Sequence, residues 1–135
     1  MTLATHAIVG AAAAKIFASN PLLGFAIGLL SHYAIDAIPH GHYKLKSHTS
    51  NPENRLSEDM PFEKDFLFDL IKIAIDCALG FAIAYFAFGV GADNAPTIFL
   101  GAIGGVLRDA LQFAYFKIRQ EPLTTLQKIH IANHA

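Results

Sequence analysis

The chain is poor in thiols and in charge. Its 135 residues include one cysteine, no tryptophan and only 16% Asp, Glu, Lys and Arg. The lone Cys77 excludes an intramolecular disulfide, so packing must hold the fold. Ten basic against eleven acidic residues leave a net charge of -1, which lacks the basic excess on which nucleic-acid binding rests, so no nucleic-acid partner is expected. With 53% hydrophobic residues the chain is also no disordered linker, and its length suits one domain spanning residues 1–135. Against this background seven histidines stand out.

Four apolar segments of helical length run Leu3 to Ala18, Leu22 to Ile38, Phe66 to Phe88 and Pro96 to Phe116. Ala and Gly dominate them and period-2 alternation is absent, so strands are not expected. Their breaks have chemical causes. Ser19-Asn20-Pro21 ends one helix and starts the next, Ile38-Pro39-His40-Gly41 stops the second, and Gly89 to Pro96 separates the third from the fourth. A shorter amphipathic helix is expected from Pro122 to His134, with Leu123, Leu126 and Ile129 on one face. Residues 41–63 change to His, Lys, Ser, Asn, Pro and Glu, and read as a long polar loop lying in water, with His42 and His48 solvated.

The third and fourth segments are long enough to cross about 30 Å of hydrocarbon at about 1.5 Å per residue; the first two are shorter. Lys44, Lys46, Arg55 and Lys64 lie in or beside the long loop and Lys117, Arg119 and Lys128 in the tail, whereas the two short connections carry no basic residue. By the positive-inside rule this describes an all-α, four-helix transmembrane bundle in the cytoplasmic membrane, with both termini cytoplasmic and the lipid bilayer as partner. Met1 to His6 has no Lys or Arg to open a signal peptide, so the first helix is expected in the mature protein.

Ionisable groups in such helices are costly unless paired, metal-bound or facing a wet cavity. Here they are numerous. His32 and Asp36 share one face of the second helix, with His40 one step further; Asp65, Asp69, Lys72 and Asp76 form a stripe on the third; Arg108 and Asp109 interrupt the fourth. His6 opens the first helix, and His130 and His134 stand four apart on the tail. In an antiparallel bundle nearly all of these fall near one membrane face. Mixed imidazole and carboxylate donors suit Zn²⁺ best, with Mn²⁺ or Fe²⁺ next, rather than Ca²⁺. The expected ligands are His6, His32, Asp36, His40, Asp109 and His134.

The stretch Gly28-Leu29-Leu30-Ser31-His32-Tyr33-Ala34-Ile35-Asp36 resembles the predicted membrane-bound metal-dependent hydrolases of the YdjM type, which carry Gly-x-x-Ser-His-x-x-x-Asp on an apolar helix. Thr5-His6-Ala7 is similar to that family's N-terminal His element, and Leu107-Arg108-Asp109 is the nearest counterpart of its Leu-Pro-Asp, with Arg in place of Pro. The resemblance implies a metal-dependent hydrolase.

The expected reaction is hydrolysis of an ester, a phosphoester or other small or lipid-derived substrate, at the cytoplasmic face. Asp69 or Asp76 would act as general base and Arg108 would stabilise developing negative charge. Two other readings remain: a non-enzymatic ion or proton carrier or structural subunit with intramembrane acids, and a soluble all-α hydrolase resembling zinc-dependent phospholipase C. Short spans leave room for a homo-oligomer.

Overall fold

The computed structural model describes residues 2–134, and the regular elements among them are all helical. The helices are α1 (Leu3–Phe17), α2 (Pro21–Asp36), α3 (Phe66–Ala84), α4 (Ala95–Lys117) and α5 (Leu123–Asn133). The starts follow local chemistry. Thr2 Oγ1 accepts the Thr5 amide at 3.3 Å, and Asn20 Oδ1 accepts the Leu23 amide at 2.9 Å with Pro21 opening α2. The third segment leaves α-helical geometry at Ala84: residues Tyr85–Gly89 form a π-helical turn closed by Val90 N–H to Tyr85 O at 3.0 Å, and Gly91, at φ 69, reverses the chain.

Helix α4 is the central element and packs on both α1 and α2; α1 also packs on α3. Small residues make this possible. A Cβ added at Gly28 would stand 2.0 Å from the Gly101 carbonyl oxygen, so α2 and α4 touch backbone to backbone there. Gly28→Ala should therefore force the helices apart and cost about 1–3 kcal/mol. Thermal unfolding is expected to show a clear drop in midpoint against a control substitution at exposed Ala34.

The stretch 41–63 departs from the expected solvated loop. It folds onto the end of α4 and α5, where Met60, Tyr115 and Phe116 form a buried cluster supported by Leu45, Leu56 and Phe66. Polar anchors fix it. Asp69 Oδ2 accepts both the amide and the hydroxyl of Ser47 at 2.7 Å, Tyr115 donates to the Leu56 carbonyl at 2.8 Å, and Lys117 Nζ bonds the Met60 carbonyl. A loop read as polar by composition thus becomes a cap because donors on α4, Tyr115 and Lys117, and an acceptor on α3, Asp69, satisfy parts of its backbone.

Among the described residues one helix, α4, is long and apolar enough to cross a membrane. Helices α1 and α2 are shorter than a full span, at 15 and 16 residues. Helix α3 carries Asp69, Lys72 and Asp76 along its length. The expectation of four full-length spans accordingly reduces to an all-helical bundle with one span-length apolar helix.

Candidate metal centre

Four helices deliver polar side chains to one end of the bundle. His6 comes from the first turns of α1, His32 and Asp36 from the last turns of α2, Asp109 from the second half of α4, and His130 from α5. His6, His32, Asp36 and His130 are buried, while the Asp109 side chain is 30% exposed. Asp36 is the hub. Its Oδ2 lies 3.0 Å from His32 Nε2 and 3.2 Å from His130 Nε2, and its Oδ1 lies 3.4 Å from His6 Nε2 and 3.7 Å from His40 Nε2. The Asp109 carboxylate approaches His6 and His32 Nε2 at 4.0 Å. The His6 and His32 rings stack with centroids 4.0 Å apart.

Two donor atoms bound to one ion at about 2.1 Å stand about 3.0–3.4 Å apart for octahedral to tetrahedral angles. The three shortest contacts around Asp36 have that spacing. The tautomer of His32 is also determined, because its Nδ1 lies 2.8 Å from the Gly105 carbonyl, which can only accept. Nδ1–H therefore donates, and in the neutral ring Nε2 turns a lone pair toward Asp36. That Nε2 finds no well-aligned hydrogen bond within the chain, and neither does Asp36 Oδ1. Four imidazoles around one carboxylate cannot all be protonated without surplus positive charge. Left neutral, several of their lone pairs converge on the carboxylate's own. A divalent cation resolves the conflict, and the donor set fits one.

His6, Asp36, Asp109 and His130 of the centre line a cavity of about 700 Å³, to which the cap adds polar groups at Lys44, His48, Arg55 and Glu58. Apolar walls come from Leu70, Ile73, Val106, Phe113 and Phe116, and Tyr43 joins them from the cap. Burial, followed by the negative charge of Asp76 and Asp109, pushes the Tyr43 hydroxyl up to about 12. It stays a neutral hydrogen-bond donor through the physiological range.

The expected ligands His6, His32, Asp36 and Asp109 thus gather at one point, with His40 beside Asp36 and His134 at the edge of the group. The three residues expected to act on substrate stand elsewhere. Asp69 is buried and bound to Ser47 in the cap. Asp76 Oδ2 accepts the Ala4 amide at 3.2 Å, holding the first turn of α1 against α3. Arg108 is 1% exposed and donates to the Leu126 carbonyl at 2.8 Å and to Gln127 Oε1 at 2.9 Å, fastening α5 to α4. Asp69 and Arg108 spend their polar contacts on neighbouring elements rather than on the cavity, whereas Asp76 stands both against α1 and beside the Tyr43 hydroxyl that lines the cavity.

His130 and His42 belong to the cluster and are absent from the expected ligand set. For His130 the signal was its i, i+4 relation to His134, which puts both on one helical face. For His42 it was only the alternation His40-x-His42 within a polar stretch. Compared with family models, curated proteins and solved structures, the chain matches none.

Proposed function

We propose that the protein is a membrane-embedded, divalent-metal-dependent hydrolase acting on an ester that has an apolar portion. The observation that carries this reading is the convergence of His6, His32 and His130 on Asp36 at ligand spacing, beside a cavity with largely apolar walls. His6, His32, Asp36 and His130 would hold the ion, with Zn²⁺ best suited to three imidazoles and a carboxylate. A bound ion of this kind supplies Lewis acidity and lowers the pKa of water.

The chain's own groups supply the rest. Asp109, the most exposed carboxylate of the centre, is placed to take a proton from attacking water. The neutral Tyr43 phenol, facing Asp76 in the free protein, would donate to the oxygen on which negative charge develops once it turns from that carboxylate to substrate. The apolar walls suit the acyl or prenyl part of a lipid-derived substrate, and the cavity volume falls in the ordinary range for small-molecule sites. The Ser31-His32-x-x-x-Asp36 resemblance points to the same class of reaction. A carrier reading draws less support, since Asp69 and Asp76 are engaged by Ser47 and Ala4 instead of lining a path.

Placement in the membrane is supported by the surface. Helix α3 turns Leu67, Phe68, Ile71, Ile75, Leu79 and Ile83 outward, all half or more exposed or nearly so, an apolar stripe too long for a water-facing helix. Lys44, Arg55, Lys117 and Arg119 lie in or beside the cap at the metal-centre end, which faces the cytoplasm in this reading. Lys15, at the opposite end, folds back to the Phe88 carbonyl at 3.3 Å.

The test is hydrolysis by detergent-purified protein, supplied with Zn²⁺ or Mn²⁺, of paired chromogenic phosphate and carboxylate esters with short and long alkyl chains. Turnover should favour the long chains, vanish with chelator and return with metal. His32→Ala should lower it at least about 100-fold. Metal-independent turnover, or none on any ester, would defeat the reading.

A further inference from the structure

The donors at this end of the bundle outnumber what one ion can use. Six imidazoles, those of His6, His32, His40, His42, His130 and His134, join Asp36 and Asp109 in overlapping groups whose ligand atoms lie within 4.8 Å of one another. One first-row ion takes four to six ligands. The surplus is not scattered. His40, His42 and His134 form a group of their own on the water side of Asp36, with ring centroids 4.6, 5.0 and 4.9 Å apart.

His40 repeats the arrangement of His32. Its Nδ1 lies 2.6 Å from the Ile38 carbonyl, which can only accept, so Nδ1–H donates and Nε2 presents a lone pair in the neutral ring. That Nε2 is buried, finds no hydrogen-bond partner within the chain, and lies 3.7 Å from Asp36 Oδ1. The other oxygen of the same carboxylate faces His32 and His130. The His130 and His134 rings, stacked at 5.6 Å, continue the connection along α5.

We infer that His40, His42 and His134 form a second site for a divalent transition-metal cation, and that Asp36 bridges it to the first. The inference rests on the metal-centre reading above and extends it from one ion to two. The inner ion is enclosed by four helices. The outer one is held by the residues just after α2, by exposed His42 of the cap and by His134 just past α5. It should exchange faster, so that a chelator strips the two in separate phases.

The experiment is equilibrium dialysis of the purified full chain against Mn²⁺, with metal counted by mass spectrometry and the electron paramagnetic resonance spectrum recorded. Wild type should hold two ions per chain and show a spin-coupled pair. His42→Ala, a change at an exposed side chain that leaves the core intact, should hold one and show an isolated ion, and His134→Ala should do the same. Saturation of wild type at one ion, or retention of two in both variants, would overturn the second site. If wild type holds one ion that His32→Ala removes, the inner centre survives without the outer. If two ions bind and no ester is cleaved, the paired site stands and the hydrolase reading falls.

Discussion

Asp36→Ala should leave the protein unable to retain metal. Loss of an outer partner that only orients a ligand costs about 10–100-fold in affinity, and Asp36 is not an outer partner. It stands within 3.0–3.7 Å of the Nε2 atoms of His6, His32, His40 and His130. A loss well beyond 100-fold is expected, read by competition with a chromogenic chelator. Asp36→Asn, which keeps the shape and removes the charge, should lie between wild type and Ala. Affinities within about threefold of wild type would mean that the carboxylate serves only to pair with histidine. The free folded chain should respond differently: without metal, either variant removes the one acid that four imidazoles share, so any protonated ring among them becomes more costly.

The second large effect concerns α5. Arg108→Met removes two hydrogen bonds from a buried charged donor and leaves the Leu126 carbonyl and Gln127 Oε1 without it. Bonds of that kind contribute about 1.5–3 kcal/mol each, so a loss of about 3–6 kcal/mol is expected. It should be felt locally, because α5 packs lightly on α4 and its other ties are Asn133 Nδ2 to the Tyr33 carbonyl at 2.8 Å, His130 against Asp36 at 3.2 Å, and the side of the cap. Hydrogen exchange followed by mass spectrometry should show Leu123–Asn133 losing protection while α1 and α4 keep theirs, and metal affinity should fall with it, since His130 and His134 ride on this segment. An arginine acting on substrate would behave otherwise, lowering turnover and leaving both exchange and metal content unchanged.

Arg108 also marks where the sequence stops being readable. Its residue type promised a charge in an apolar helix, and either a catalytic or a fastening role would satisfy that. Only the return of α5 across α4, set by a turn after Lys117, decides between them. The acids of α3 have the same history. Asp69 was legible as a buried carboxylate, but its partner is Ser47, twenty-two residues away in a stretch with no periodic signal of its own. By contrast, the helices were legible because Ser19-Asn20-Pro21, Ile38-Pro39-His40-Gly41 and Gly89 to Pro96 punctuate runs with no competing pattern. His32 and Asp36 were legible because helical spacing alone stacks them one turn apart. Local periodicity carried the elements and the i, i+4 pairs. Contacts between distant segments carried His42, the cap and the anchoring of α5, and no single-segment pattern encodes those.

Gly105 governs both the spacing of α1 and α4 and the proton of His32. A Cβ there would stand 2.2 Å from the His6 carbonyl oxygen, so the distance between α1 and α4 at this level is set by the missing side chain. The carbonyl of the same residue receives the Nδ1–H of His32. Any side chain at this position would displace the carbonyl while pushing α1 away, and the imidazole would lose the acceptor that selects its tautomer. The closeness of two helices and the location of one proton are therefore a single variable in this protein. The choice of which His32 nitrogen faces Asp36 without an obligatory proton is encoded in a residue that has no side chain to titrate.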